Sequence, residues 1–209
     1  MIRAAEPADL DAIAALHTRA RATYYRGHIP EQAYAGDVEF HRTREGWSRA
    51  VARDPAEGAV LCAEQDGRLT GVAAFRTEGG ETTLTQLHVD PVHWRRGTGA
   101  ALHAACLDVW RRTGVSRVRL EVYAHNLRAQ AFYATHGWRP DPSTPHAGTH
   151  RTLWLRIGPP PAEGSTGGSA DAPGADTGLR GEAGSDPHSV ERTPHVHARQ
   201  AQRPDQGTP

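Results

Sequence analysis

Residues 82–105 read TTLTQLHVDPVHWRRGTGAALHAA. Leu84, Leu87 and Val89 with threonines between them predict a strand, and Asp90-Pro91 ends it. A basic loop, His93-Trp94-Arg95-Arg96, leads into Gly97-Thr98-Gly99 and then an alanine-rich run with Ala101, Leu102, Ala105 and Val109 on one helical face. Strand, glycine turn and helix together aim a fan of unpaired backbone N–H groups, at the positive end of a helix dipole, toward an anion. Gly97 and Gly99 lack the Cβ atoms that would hold a phosphate off the backbone. Arg95 and Arg96 add charge in a fork that matches phosphate oxygens.

The stretch is neither of two familiar phosphate motifs. Leu102 stands where the third glycine of G-x-G-x-x-G would fall, and no Gly-Lys-Ser/Thr of a P-loop follows. What remains is Arg96-x-x-Gly99-x-Ala101. This resembles the acyl-CoA pyrophosphate motif, Gln/Arg-x-x-Gly-x-Gly/Ala, of the GNAT superfamily of N-acetyltransferases, and LHVDP is similar to that family's fourth strand. A second stretch strengthens the resemblance. Residues 126–138, NLRAQAFYATHGW, follow N-x-x-A-x-x-F-Y-x-x-x-G-F with Trp138 in place of the last phenylalanine. Asn126, the chain's single asparagine, falls where the motif has one and can cap the helix. Ala129 keeps that helix slim, Phe132 packs inward, and Tyr133 lies one turn past Ala129.

Working outward, residues 2–4 suggest a short first strand, and Leu10, Ile13, Leu16 and Ala20 a first helix ending near residue 21. Residues 23–47 mix Tyr24, Tyr25, Tyr34, Phe40 and Trp47 with Glu31, Asp37, Glu39 and Glu45. Weak periodicity, Gly27 and Pro30 make this a loop and short helix over one side of a cleft, either a plain lid or a surface that receives a cationic amine through Tyr24, Tyr25, Glu31 and Tyr34, with Asp37 and Glu39 adding negative charge. Strands at 59–65 and 69–76 flank Asp66-Gly67, a hairpin turn signal. Residues 117–123 (RVRLEVY) alternate as a strand, a helix at 126–136 follows, and 149–157 form a last strand. The chain thus reads as an α/β domain over 1–157, a mixed sheet with helices on both faces. Residues 158–209, rich in Gly, Pro and Ala, read as a disordered tail; His195-x-His197 within it lacks the further ligands a metal site needs.

Composition excludes several classes. Basic and acidic residues balance at 24 each, which gives no electrostatic case for nucleic acid or a membrane surface. There is no lysine, which removes lysine self-acetylation. Cys62 and Cys106 have no metal-ligand spacing and read as buried thiols. No signal-like N-terminus or membrane-length apolar run is present, so a soluble cytoplasmic protein, monomer or homodimer, is expected.

The resemblance implies a mostly antiparallel central sheet and acetyl transfer from acetyl-CoA to a primary amine, of a small molecule or a peptide, by direct attack in a ternary complex. It places the cofactor on Leu87, His88 and Val89, on the turn Arg95, Arg96, Gly97, Thr98, Gly99, Ala100 and Ala101, and on Asn126, Ala129 and Phe132. It makes Tyr133 the donor to the departing sulfur. For the base that takes the amine proton, Glu121 comes first, on the outward face of its strand, and His88 second, for its pKa range. Gln86 sits where some relatives carry a glutamate. Two other readings stay open: a catalytically silent acyl-CoA-binding module, and a general phosphate-binding α/β domain.

Overall fold

The computed structural model describes residues 1–141 and 148–158. The expected tail therefore lies, Gly158 apart, outside the described residues. Seven strands form one sheet in the order β1-β2-β3-β4-β5-β7-β6. In chain order they are β1 (Ile2–Ala4), β2 (Gly58–Gln65), β3 (Arg68–Glu78), β4 (Glu81–Val89), β5 (Arg117–Tyr123), β6 (Arg139–Pro140) and β7 (His150–Arg156). Four α-helices accompany them: α1 (Leu10–Tyr25), α2 (Asp37–Val51), α3 (Thr98–Arg112) and α4 (Leu127–Thr135). Every neighbouring pair is antiparallel except β4 and β5. The expected fold class, including the mostly antiparallel sheet, is the one observed.

Two apolar clusters cover the two faces. One joins Leu102, Cys106 and Trp110 of α3 and Tyr133 of α4 to Phe75, Leu84, Val118, Leu120 and Val122. The other joins Leu10, Ile13 and Leu16 of α1 and Trp47 of α2 to Val60, Cys62, Val72 and Ala74. β3 is buried from Thr70 to Phe75 because both clusters press on it. The β2–β3 hairpin turns at Asp66 (φ 52°) and Gly67 (φ 72°), positive at both positions as a two-residue hairpin turn demands. Among the described residues no helix is long and apolar enough to cross a membrane.

Several elements differ from the sequence reading. α1 runs a turn further than expected, since nothing breaks it before Gly27 (φ 83°), and so carries Tyr24 and Tyr25 on the helix itself. α2 is a full 15-residue helix whose buried stripe is Glu39, Thr43 and Trp47, at i, i+4 and i+8. Two of those three are polar, which hides the period from an apolar count. The buried face of α3 is Leu102, His103, Cys106 and Trp110, with Ala101 exposed. The two-residue β6 was not foreseen; Pro140 can sit there because β6 is the edge strand.

Candidate active site

β4 and β5 are paired only at Thr82–Val118 and Thr83–Arg119. Beyond that point β4 stays with β3 as far as Val89–Gly71, while β5 stays with β7 as far as Tyr123–His150. The two strands therefore part, and a gap opens in the middle of the sheet. A bulge at Thr85 lies just past the last β4–β5 pair, since Phe75 pairs with Leu84 but Ala74 with Gln86. The bulge shifts the alternation by one. This is how Leu84 and Leu87, an odd number apart, both meet the α3-side cluster, while Gln86 and His88 turn to the α1 side.

The edge of β4 follows from its bonds. Asp90 N–H donates to Thr70 O at 2.9 Å, and the His88 carbonyl lies on the β3 side against Gly71. By alternation the N–H and C=O groups of Leu87 and Val89 face the gap. The Val89 carbonyl there accepts from Trp94 Nε1 at 2.9 Å.

At the mouth of the gap, Gly97 (φ 82°) precedes α3, and the first i−4 bond is Ala101 N–H to Gly97 O at 2.9 Å. The amides of Thr98, Gly99 and Ala100 thus have no intrahelical acceptor, the backbone arrangement that the sequence reading expected of an anion seat. Arg95 and Arg96 are exposed beside it. A Cβ at Gly99 would sit 3.4 Å from Phe132 Cε2 and 3.6 Å from Val89 Cγ2, ordinary contact distances, so packing alone does not demand a glycine there. Sequence reasoning missed Gly71, where a Cβ would lie 2.8 Å from Leu102 Cδ1 and 3.0 Å from Thr98 Cγ2. That glycine lets the first turn of α3 sit flat on the sheet.

On the far side, Asn126 Oδ1 accepts from Ala129 N–H at 3.1 Å and caps α4. Ala129 and Phe132 are partly buried against the core. Tyr133 is buried between Phe132 and Trp138, at ring separations of 5.4 and 5.6 Å, and burial pushes its phenol well above the usual tyrosine range. Trp138 in turn donates to His103 Nε2 at 3.0 Å. Its indole nitrogen thus makes a bond that the motif's phenylalanine could not.

The α1 face supplies the opposite wall. Tyr24 is raised by burial and by neighbouring Tyr25, and the Tyr133 phenol contributes to the same shift. A phenol on α1 and a phenol on α4 thus sense one another although their helices lie on opposite faces of the sheet. Tyr25 meets Tyr34 (5.9 Å) and Tyr123 (5.0 Å), and Tyr123 meets His125 (5.3 Å) and His150 (5.6 Å). His28 stacks on His125 at 4.3 Å. This aromatic cluster brings together the predicted Tyr24, Tyr25 and Tyr34 with His28, and adds Tyr123 and His125, which the sequence reading had not assigned to the site. Glu31 stands exposed in a short 3-10 turn, Glu31–Ala33. Glu39 is already engaged: buried, it accepts from Arg21 at 2.6 Å and from Arg42 at 2.8 Å, so it is no open carboxylate for a cationic amine.

The two base candidates sit in different surroundings. His88 is buried, stacked on His17 at 4.2 Å, and its Nε2 shares a 2.6 Å bond with Gln86 Oε1. Burial, with the Arg21 charge nearby, pushes its pKa down to about 3. His17 is lowered by the same causes together with His88, and accepts from Trp47 Nε1 at 3.0 Å. Glu121 is exposed, on the face of β5 that also carries Arg119 and Tyr123, with Arg119 Nη2 3.4 Å from its carboxylate. Both thiols are buried, and burial pushes Cys62 and Cys106 up to about 12. Among the described residues no group of three or more His, Cys, Asp or Glu side chains could hold a metal ion.

A strand edge opened by divergence, an amide fan at its mouth and a buried tyrosine behind it are the parts an acyl-CoA site needs. The family model of the acetyltransferase (GNAT) family matches residues 14–138. The chain belongs to that family. Membership places it among the acyltransferases, with acetyl-CoA as the donor whose fit the geometry tests. A mycothiol acetyltransferase of Clavibacter michiganensis subsp. michiganensis is 38% identical over 133 residues, 63% of this chain and 40% of that one. The chain thus spans well under half the length of that relative. Among solved structures, the PaiA N-acetyltransferase of Thermoplasma acidophilum in complex with coenzyme A superposes with a TM-score of 0.68 at 18% identity, covering 75% of this chain and 98% of that one. The ribosomal-protein-S18-alanine N-acetyltransferase of Escherichia coli gives 0.57 at 22% identity, covering 78% and 97%. At those identities the likeness is one of fold.

Acetyl-CoA fits the residues present. Its pantetheine amides have the open edge of β4 to bond, and its pyrophosphate has the Thr98–Ala100 amides with Arg95 and Arg96.

Proposed function

We propose that this chain is an N-acetyltransferase that moves the acetyl group of acetyl-CoA onto a primary amine by direct attack in a ternary complex. The observation that carries the reading is the parting of β4 from β5 after two residue pairs, with Tyr133 behind the gap and Tyr24 in front of it. When bound, acetyl-CoA supplies an acyl group activated as a thioester. The gap-facing N–H groups of Leu87 and Val89 donate to its carbonyl oxygen as negative charge grows there. Tyr133, neutral because burial raises it, donates a hydrogen bond to the departing sulfur. A thiol of pKa ~8.5 is more acidic than that phenol, so Tyr133 would support a departing thiolate as a hydrogen-bond donor while keeping its own proton.

The acceptor enters from the α1 side, between Tyr24, Tyr25, Tyr34 and Tyr123. An amine of pKa ~10.4 lies about 3 units above neutral pH, and supplying it deprotonated costs about 4 kcal/mol. Glu121, exposed on that face and in reach of water, takes this proton. His88 is buried, with its ring stacked on His17 and its Nε2 already bonded to Gln86. We assign His88 instead, with His17 and Gln86, to fixing β4 against α1. The relatives' names cover mycothiol and the alanine of a ribosomal protein, and the acceptor is proposed as a primary amine of a small molecule or of a peptide.

The test is release of free CoA thiol from acetyl-CoA in the presence of a panel of small amines and peptide N-termini. Amine-dependent release with an equal yield of N-acetyl product is expected. Cofactor binding without release by any amine would favour a silent acyl-CoA-binding module.

A further inference from the structure

Arg128 is the second residue of α4, and its guanidinium lies 3.1 Å from the centre of the Trp94 ring. Stacked this way, the planar group is held by one face while its N–H fork stays free at the edge. Trp94 is itself fixed, because its indole N–H donates to the Val89 carbonyl at the end of β4. The stack therefore ties α4 to the loop that leads into the α3 turn. Arg95, next in that loop, adopts a left-handed backbone (φ 59°), shared among the described non-glycine residues only with hairpin Asp66.

Three features oppose a cation at this place. Arg95 and Arg128 are close enough that the Arg95 charge, after burial, lowers the Arg128 pKa. The first turn of α4 is the positive end of a helix dipole, which favours an anion over a cation. Among the described residues no ion pair involves Arg95, Arg96 or Arg128, so no carboxylate offsets the repulsion. Like charges held together by stacking and an anchored indole, with their donors free, are built for an anionic ligand.

We propose that Arg128, stacked on Trp94 and facing Arg95, forms a second anion subsite that takes the 3′-phosphate of coenzyme A. This rests on the acetyl-CoA reading above. The α3 amides serve the pyrophosphate, and the cofactor's remaining phosphate is a ribose monoester carrying nearly two charges. The guanidinium of Arg128, held on Trp94, with Arg95 next in the same loop, matches it.

The experiment is isothermal titration of the full chain and of Arg128→Ala with CoA and with 3′-dephospho-CoA. The wild type is expected to bind CoA about 10- to 100-fold more tightly than the dephospho form, the range for charge-assisted bonds to one phosphate. Arg128→Ala should lose most of that preference while its affinity for dephospho-CoA stays within about twofold. Arg128→Gln, which retains most of the stem over Trp94, should behave alike if charge is what matters. Equal weakening toward both ligands would assign Arg128 to the pyrophosphate or to packing and overturn the proposal. Equal binding of both ligands by the wild type would overturn the subsite alone. Failure of the wild type to bind either would remove the cofactor reading and the subsite with it.

Discussion

Replacing Tyr133 by phenylalanine removes one oxygen and keeps the ring that Phe132 and Trp138 pack against. Stability should therefore change little, with the unligated midpoint within a few degrees of wild type. The oxygen's contribution to turnover follows from its surroundings. Burial raises the phenol above a thiol of pKa ~8.5, so it supports the leaving sulfur as a hydrogen-bond donor and does not give up its proton. A hydrogen bond to a charged group contributes about 1.5–3 kcal/mol, so kcat should fall roughly 10- to 150-fold. The bond strengthens as charge forms on sulfur, so kcat and kcat/KM for the amine should fall together while CoA affinity stays nearly constant. The assay is steady-state thiol release at saturating acetyl-CoA, with CoA affinity measured separately. An unchanged kcat in a variant that folds and binds CoA would refute the assignment, provided chemistry limits turnover, which a single-turnover measurement establishes.

Other consequences follow from packing and charge. Gly71→Ala would place a Cβ 2.8 Å from Leu102 and 3.0 Å from Thr98, pushing the first turn of α3 off the sheet. A loss of about 1–3 kcal/mol in urea unfolding is expected, with weaker CoA binding, and wild-type values for both would contradict that fit. His88 and His103 have folded pKa values lowered to about 3 and about 4 by burial, so between those values and 6.5 the unfolded chain binds more protons. Stability should be full above pH 6.5 and fall by about 1.4 kcal/mol per pH unit for each such histidine as pH drops toward 4, and a flat profile from pH 7 to 5 would mean these rings are hydrated. Glu39→Gln would leave the largely buried Arg21 without its counter-charge, and a loss of about 2–3 kcal/mol is expected in the same assay; a change below about 0.5 kcal/mol would show the pair to be solvated.

The fold was legible where apolar spacing and turn chemistry agree. Asp66-Gly67, the 117–123 alternation and the strand–turn–helix at 82–105 all stand as read. α2 was obscured because its buried stripe holds Glu39 and Thr43, which become buriable only through partners elsewhere in the chain, such as Arg21 on α1. The bulge at Thr85 left no signature, since it depends on how β3 pairs rather than on β4. At the site, the Thr98–Ala100 turn and the Asn126 cap were visible because each is local. The Trp94–Arg128 stack, the Gly71–Leu102 contact and the Tyr24–Tyr133 proximity were not, because each joins elements distant in sequence.

The central claim is that the gap between β4 and β5 takes acetyl-CoA, and thermal unfolding with acetyl-CoA, CoA and ATP, each in excess, tests it most directly. A ligand at ~100 times its dissociation constant adds about 2.7 kcal/mol, which moves the midpoint of a domain this size by several degrees. The account predicts such a shift with both CoA species and none with ATP. No shift with either CoA species, or an equal shift with ATP, would contradict it.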